Sequence, residues 1–249
     1  MSRPVALISG VSRTASIGAA VARKLAADGW NLALTYWTAY DERMPWGVHP
    51  EELENLKAEL LSRGSRIIFI AADLEQSQSA PQLFSKVRNE LGPVSALVLS
   101  HCESVRSSIL NTTLESFERH FAVNVRASWQ LIQQLAIQMP ESGGRIVALT
   151  SDDTVGNLPY GASKGALDRI VLAAARELAH LKITSNVVNP GPIDTGWMDD
   201  QTRIFLTQRQ PNGSLGTTGD AANLIAFLLS PEGSWINGQL IKSDGGISA

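Results

Sequence analysis

The sequence of residues 5–36, VALISGVSRTASIGAAVARKLAADGWNLALTY, predicts how the fold begins. Its first part, Val5–Ser9, is a short apolar run of the kind found in a buried parallel strand. Residues 17–28 carry apolar side chains at helical spacing and end at an Asp-Gly pair, which predicts a helix. Asn31–Tyr36 is a second apolar run, so the whole stretch predicts a strand–helix–strand unit.

The same alternation of apolar runs and helical patterns continues to the end of the chain. Further strands are predicted at residues 66–70, 96–99, 145–149, 183–188 and 238–241. Helices are predicted at residues 51–63, 82–91, 113–139, 159–180 and 220–229. We therefore predict an α/β fold with a doubly wound, parallel, seven-stranded sheet flanked by helices. A ligand of such a fold lies beyond the carboxyl ends of the strands.

The composition limits the classes of function that the chain can have. With 249 residues, of which 44% are hydrophobic, it can bury a substantial core, and no linker or repeat divides residues 1–249 into two domains. The net charge is −3 and basic residues are scattered, which argues against a nucleic-acid partner. No apolar run approaches the ~18 residues of a membrane span, and the amino terminus lacks a signal-peptide pattern. The single cysteine fits a reducing compartment and the histidines lack metal-ligand spacing, so we expect a cytoplasmic protein without a metal site.

The loop between the first strand and the first helix is a candidate phosphate-binding site. Glycines let a backbone approach a pyrophosphate, and a helix amino terminus presents free N–H groups to it. The spacing of the usual G-x-G-x-x-G motif is absent, which leaves an ordinary strand–helix connection as the alternative. The length of the loop and its hydroxyl and basic side chains favour cofactor binding. The candidate contacts are Gly10, Ser12, Arg13, Ser16, Ile17 and Gly18.

The end of the second strand indicates which nicotinamide cofactor is bound. An acidic residue there would bind the ribose of NAD and repel a 2′-phosphate. The chain has Thr35-Tyr36-Trp37 at this point and no acidic residue before Asp41. Arg13 offers a guanidinium group that suits phosphate, and the less favoured alternative is a solvated loop arginine. Together these residues favour NADP(H).

Tyr160 and Lys164 form a candidate acid–base pair. They are spaced i, i+4 in a predicted helix, so their side chains project from the same face. An ammonium group held close to a phenol stabilises the phenolate, and we expect Lys164 to lower the pKa of Tyr160 towards working pH. The alternative is an ordinary pair on the surface of a helix.

Several residues in a fixed order carry a resemblance to a known family. The set consists of Asn124, Ser151, Tyr160, Lys164, Pro190-Gly191 and the final Asp244-Gly245-Gly246. It resembles the short-chain dehydrogenase/reductase family, in the subgroup of bacterial 3-oxoacyl-[acyl-carrier-protein] reductases. The resemblance covers nearly the whole chain and implies one NAD(P)-binding Rossmann-fold domain.

The resemblance also implies a role for each residue of the site. Tyr160 would be the general acid of reduction, Lys164 would hold the nicotinamide ribose, Ser151 would bind the substrate carbonyl and Asn124 would hold a water that links Lys164 to solvent. Singly, these residues could instead be a strand-end cap at Ser151 or a helix kink at Asn124. Further cofactor contacts are implied at Asp73, Leu74, Ser100, Pro190, Gly191, Ile193 and Thr195.

The chain departs from the family pattern in three places. The glycine loop is longer than Thr-Gly-x-x-x-Gly-x-Gly. Leu99-Ser100-His101-Cys102 replaces Asn-Asn-Ala-Gly, which places a titratable His101 near the cofactor. The segment 152–159 is shorter than usual, and its adjacent Asp152 and Asp153 are either substrate contacts or part of a solvated turn.

These observations predict an NADPH-dependent oxidoreductase that reduces a ketone to a secondary alcohol, with Tyr160 as general acid. Apolar side chains in the expected substrate lid, residues 195–212, favour a 3-oxoacyl or bulky hydrophobic ketone, unless they pack against a neighbouring subunit. A non-catalytic NADP-binding regulator or scaffold is the alternative, and the Tyr–Lys spacing disfavours an enoyl reductase. The resemblance implies a homotetramer or dimer that forms through the helices beginning near Thr113 and Pro159. Residues 38–50 are predicted to be an ordered surface loop.

Overall fold

The structure is a computed structural model that describes residues 3–139 and 141–249. Its strands are β1 (Val5–Ser9), β2 (Asn31–Tyr36), β3 (Ile67–Ala71), β4 (Ala96–Leu99), β5 (Gly144–Leu149), β6 (Ile183–Asn189) and β7 (Leu240–Lys242). They form one sheet in the order β3-β2-β1-β4-β5-β6-β7, and every neighbouring pair is parallel. The predicted fold class, a doubly wound parallel sheet, is confirmed.

The helices lie on both faces of the sheet. They are α1 (Ile17–Ala27), α2 (Thr38–Asp41), α3 (Pro50–Leu61), α4 (Ser79–Glu90), α5 (Leu114–His120), α6 (Ala127–Ile137), α7 (Leu158–Glu177), α8 (Asp200–Arg209) and α9 (Thr218–Leu229). None of the helices in the described ranges combines the length and the apolar composition that a membrane crossing needs.

Alternate residues of the central strands pack into two separate cores because successive side chains of a strand point to opposite faces. On one face Leu7 of β1 lies in a cluster with residues of α4, α6 and α7, such as Phe84, Leu131 and Val171. On the other face Ile8 lies in a cluster with residues of α1, α3 and α9. This is why the central strands are continuous apolar runs and not alternating ones.

Three segments differ from the sequence prediction. In the expected lid, Asp200–Arg209 forms α8, a helix that was not predicted. The helix predicted at 113–139 is interrupted, because Phe121–Arg126 forms a π-helical turn between α5 and α6 at the point where Asn124 turns its side chain inward. The segment 38–50 is more than a surface loop, because it begins with α2 and buries the carboxylate of Asp41.

Candidate active site

The residues that the sequence singled out lie at the carboxyl ends of β1, β4, β5 and β6. The chain runs outward from β1 through β2 to β3 and then returns to place β4 on the other side of β1. Ligands of open α/β sheets bind at this kind of topological switch point. The topology therefore brings the glycine loop, the segment after β4 and the two predicted catalytic segments to one crevice.

The glycine loop packs closely against the segment that follows β4. Gly10 has a φ of +76°, and a β-carbon added to it would come within 2.7 Å of the His101 backbone. A β-carbon at Gly18 would come within 2.8 Å of the Gly10 carbonyl oxygen. Both positions therefore require glycine, although the G-x-G-x-x-G spacing is absent. The cradle formed by this loop and the amino terminus of α1 fits a pyrophosphate group.

The Ser16 hydroxyl is hydrogen-bonded within the glycine loop and α1. Its Oγ atom accepts a hydrogen bond from the Ala19 N–H at 3.0 Å and donates one to the Arg13 carbonyl at 2.8 Å. Ser16 is thus the N-cap of α1. It shapes the loop and orients the helix terminus, while the free N–H groups of the helix remain available to an anion.

Lys164 is held inside the crevice by α7. Its side chain is 3% exposed, and Nζ donates a hydrogen bond to the Leu149 carbonyl at the end of β5, at 2.9 Å. The same Nζ lies 5.6 Å from the centroid of the Tyr160 ring. Burial lowers the pKa of Lys164, because an ammonium group loses its hydration there. An ammonium group has three donors, so this one retains protons for a ligand hydroxyl.

Tyr160 lies beside Ser151, which follows β5. Burial raises the pKa of Tyr160, and the Cys102 thiol acts in the same direction, whereas a hydrogen bond with Ser151 opposes the shift. The sequence prediction that Lys164 lowers the pKa of Tyr160 below its usual value is wrong for this structure. The reason is that burial of the phenol dominates, while the Lys164 ammonium is directed to the Leu149 carbonyl.

Asn124 fastens the segment after β4 to α7. Its Oδ1 atom accepts from the Glu103 N–H at 2.7 Å, and its Nδ2 donates to the Glu103 carbonyl at 2.9 Å and to the Ser163 hydroxyl at 2.8 Å. Ser163 immediately precedes Lys164, so Asn124 is hydrogen-bonded to the turn of α7 that carries the lysine. The hydrogen bonds of Asn124 to Glu103 and Ser163 fix the wall of the crevice that the segment after β4 forms.

His101 is a buried, neutral histidine, not a titrating group beside the cofactor. Its Nε2–H donates to the Val123 carbonyl at 3.0 Å, so Nδ1 accepts from the Ser9 hydroxyl at 2.6 Å. Burial, with a smaller contribution from Lys164, lowers the pKa of His101 to about 3. His120, also fully buried, accepts a hydrogen bond from the Val105 N–H at 3.1 Å. The two imidazoles therefore hold both ends of the segment 101–105.

Arg13 is tied to residues that the sequence did not connect with it. Its Nε lies 3.8 Å from Asp41 Oδ1, and its guanidinium carbon lies 4.3 Å from the centroid of the Trp46 ring. Burial lowers the pKa of Arg13, and the Asp41 carboxylate opposes this shift. Asp41 thus lies close to the glycine loop, although it comes after the end of β2 in the sequence.

The remaining predicted cofactor contacts lie along the same edge. Asp73 closes a turn by accepting from the Glu75 N–H at 2.9 Å, and Leu74 beside it is buried. Gly191 has a φ of +65°, and a β-carbon there would come within 2.7 Å of Asp244 Cα, which explains the glycine. Four others lie half-buried at the strand ends or in the glycine loop, namely Ser12, Ser100, Pro190 and Thr195. Ile193 is buried and pairs with Gly216.

Three side chains around this site were not predicted. Glu52 accepts hydrogen bonds from both the N–H and the hydroxyl of Thr14, at 2.6 Å each, and so holds the glycine loop. Glu103 forms a two-pronged ion pair with Arg43 at 3.1 and 2.9 Å. The Tyr40 hydroxyl donates to the Ser104 carbonyl at 3.3 Å. The only sequence signal for these contacts was the concentration of aromatic residues between 36 and 46.

The arrangement places a protonated phenol, a hydroxyl and a buried ammonium group around one crevice. A protonated phenol in the crevice can give its proton to a developing oxyanion. The hydroxyl of Ser151 can hydrogen-bond the same oxygen. Such a set suits proton transfer to a carbonyl oxygen.

Comparison with known proteins gives a consistent family assignment. A sequence profile described as enoyl-(acyl carrier protein) reductase matches residues 10–248. The chain is 37% identical over 249 residues to the uncharacterized oxidoreductase YjdA of Bacillus subtilis, which covers 97% of this chain and 96% of that protein. It is 31% identical over 256 residues to an NADPH-dependent aldehyde reductase-like chloroplastic protein of Arabidopsis thaliana. The match covers 97% of this chain and 93% of that protein.

Solved structures agree with these relatives. A crystal structure of a short-chain dehydrogenase from Burkholderia cenocepacia in complex with NADP has a TM-score of 0.87 and 32% sequence identity, and the match covers 100% of this chain and 98% of that chain. The fold, the ordered site residues and the match along the chain lead to the same result. The chain belongs to the short-chain dehydrogenase/reductase family of oxidoreductases.

Proposed function

We propose that the protein is an NADPH-dependent reductase that converts a ketone to a secondary alcohol. The observation that carries this proposal is the position of Tyr160 between Ser151 and the buried Lys164, at the strand ends where the glycine loop also lies. A binding protein has no need of a buried phenol and a buried ammonium group in one crevice, because both cost free energy to bury.

The residues present fit a nicotinamide cofactor. Gly10 and Gly18 open the loop for a pyrophosphate, and the capped amino terminus of α1 supplies N–H groups. The Lys164 ammonium would hold the hydroxyls of the nicotinamide ribose, and Pro190 and Gly191 would line the nicotinamide end. When bound, the reduced cofactor supplies the hydride that goes to the carbonyl carbon.

The chain itself supplies the proton and stabilises the charge. Ser151 donates a hydrogen bond to the carbonyl oxygen, on which negative charge grows during reduction. Tyr160 then transfers its hydroxyl proton to that oxygen. The Lys164 ammonium, 5.6 Å from the centroid of the Tyr160 ring, offsets part of the free-energy cost that burial adds to the phenolate. Tyr160 carries its proton at neutral pH, as the donor in a reduction must. In this account Asn124 keeps Lys164 in reach of solvent through a water.

NADPH is the preferred cofactor in this proposal. Residues 35–37 at the end of β2 include no acidic residue that would repel a 2′-phosphate, and the nearby Asp41 carboxylate of α2 faces Arg13, 3.8 Å from its Nε. Arg13 is fixed by Asp41 and Trp46 and has a planar fork of donors suited to a phosphate group. The Arabidopsis relative is called an NADPH-dependent aldehyde reductase-like protein, and the Burkholderia dehydrogenase was solved in complex with NADP, which supports this choice.

The substrate in this proposal is a 3-oxoacyl ester or thioester, or another bulky hydrophobic ketone. Ile204 and Phe205 are exposed on α8, within the expected lid. On the other side Val155 is exposed in the short segment after Ser151, and the backbone of Leu158 is hydrogen-bonded to Ser107 close to exposed Leu110. Apolar side chains on both rims suit an elongated apolar substrate.

Cofactor titration followed by a substrate panel tests this proposal. Fluorescence titration should give a lower Kd for NADPH than for NADH, and Arg13→Ala should weaken NADPH binding selectively. Arg63→Ala, an exposed arginine of the chain, is the matched control. The NADPH-bound protein should then consume NADPH with 3-oxoacyl thioesters or bulky ketones. Equal Kd values would overturn the cofactor preference, and tight binding without turnover of any carbonyl would favour a non-catalytic regulator.

A further inference from the structure

Trp46 lies between two residues that belong to different parts of the site. One face of its ring is covered by the Arg13 guanidinium of the glycine loop, 4.3 Å from the ring centroid. The Trp197 ring of the expected lid is stacked on it, with centroids 5.4 Å apart and planes 10° from parallel. Cation–π and stacked aromatic contacts each contribute to stability in this geometry. The side chain therefore joins the cofactor loop to the substrate lid.

Trp46 is itself held in a fixed orientation. Its indole N–H donates to Asp41 Oδ1 at 2.8 Å, and the same carboxylate faces Arg13. The surrounding segment 38–47, which we call the clasp, is anchored to the segment after β4. Its anchors are the ion pair of Arg43 with Glu103 and the hydrogen bond of the Tyr40 hydroxyl to the Ser104 carbonyl. The clasp therefore crosses the glycine loop from the end of β2 to the end of β4.

The lid is anchored at its carboxyl end by Gln210, which is buried and donates a hydrogen bond to the Asp244 carbonyl at 3.2 Å. The helix α8 within it contains no buried residue, and Arg203 pairs with Asp194 and Asp200 inside the same stretch of chain. Beside Trp197, a β-carbon at Gly196 would lie 3.2 Å from an Arg13 nitrogen, so the guanidinium reaches the base of the lid. Contacts of the first part of the lid with the glycine loop thus run through Arg13 and Trp46.

We infer that Trp46 is a positioning residue that fixes the lid and Arg13 to each other, so that cofactor release requires this stack to open. This inference rests on the proposed function, because a cofactor must lie beneath the clasp for its release to be limited. The attachment of the lid to Trp46 can also be measured in the protein without cofactor.

Limited trypsin digestion of the cofactor-free protein measures that attachment. Cleavage after Arg203 and Arg209, both in α8, reports how often the lid opens. We expect Trp46→Ala and Trp197→Ala each to accelerate this cleavage about three- to tenfold, the scale of one aromatic stack. Trp46→Phe, which retains an aromatic ring, should restore most of the protection. Trp235→Ala removes a tryptophan that is 97% exposed and should leave the cleavage rate unchanged.

The double variant decides whether the two rings act together. Combined Trp46→Ala and Trp197→Ala should be cleaved no faster than either single variant, because both remove the same stack. The rate of NADPH release, measured by displacement with excess NADP, should rise in Trp46→Ala and in Trp197→Ala. In Trp46→Phe and Trp235→Ala it should stay close to that of the unmodified protein. Multiplicative effects on cleavage, or wild-type rates of cleavage and release in Trp46→Ala, would overturn the inference. If NADPH did not bind at all, the proposed function would be refuted instead. The digestion result would still stand, because the digestion uses the protein without cofactor.

Discussion

The backbone of Thr154 lies so close to Gly161 that a β-carbon added at Gly161 would come within 2.7 Å of the Thr154 Cα atom. Gly161 follows Tyr160 in the first turn of α7, and Thr154 belongs to the short segment after Ser151. The shortness of this segment therefore has a structural consequence, since it folds directly onto the turn that carries the proposed general acid. The rim of the crevice that this segment forms is therefore a tight turn packed on α7.

Gly161→Ala should lower the thermal stability of the protein and raise KM for the ketone. Alanine stabilises a helix by about 0.5–1 kcal/mol relative to glycine, but overpacking costs about 1–3 kcal/mol, so the net effect is a loss. Gly165→Ala is the matched control, because a β-carbon there has no neighbour within 4 Å. Thermal unfolding of both variants at one protein concentration checks this. Equal stabilisation in the two would show that Thr154 does not constrain Gly161.

Stability should fall on acidification below the ordinary pKa of histidine. The pKa of His101 is lowered to about 3 by burial, from an ordinary value of 6.5. The unfolded chain therefore binds a proton that the folded chain does not, and stability that is complete above pH 6.5 is lost as the pH falls towards 3. The slope for one such group is about 1.4 kcal/mol per pH unit. Burial also lowers the pKa of His120, which adds to the loss.

Urea unfolding at a series of pH values measures this dependence. In His101→Asn the dependence should be shallower between pH 6.5 and about pH 5, above the range in which carboxylates dominate. His180→Asn, at an exposed position, serves as the control. A His101→Asn profile as steep as that of the unmodified protein would contradict the neutral, buried histidine.

The exposed apolar side chains of α5 and α6 lead us to expect a homotetramer or a dimer. Leu114, Phe117, Trp129 and Ile137 are all exposed on this part of the surface. Burying them in a subunit interface would remove apolar area from water. Light scattering at micromolar concentration should give a multiple of 26.8 kDa, and Trp129→Glu should reduce it. A single species of monomer mass in the unmodified protein would refute the expectation.

Most of the fold could be predicted because its signals are local. Each strand of the sheet is a short apolar run, and the helices that pack on the sheet carry apolar stripes, so the order of these elements follows from the sequence. Helices α2 and α8 were not predicted, because α2 is a single turn and α8 buries no residue. The π-helical turn at Phe121–Arg126 escaped prediction, because it depends on where the Asn124 side chain finds partners in the segment after β4.

The site was less predictable because its contacts join residues far apart in the chain. Trp46 and Trp197, or Arg43 and Glu103, carry no mark in the sequence that pairs them. The direction of the Tyr160 pKa shift was also beyond the sequence, since it depends on how deeply the phenol is buried. By contrast, the ordered spacing of Ser151, Tyr160 and Lys164 was enough to place them at one crevice.

The most direct test of the proposed mechanism is the turnover of Tyr160→Phe under saturating NADPH. This change removes only the hydroxyl, so NADPH should bind with nearly the same Kd while ketone reduction falls ~10²–10⁴-fold, the scale of general acid catalysis. Reduction by Tyr160→Phe at nearly the rate of the unmodified protein, with NADPH bound equally well, would contradict the assignment of Tyr160 as the proton donor.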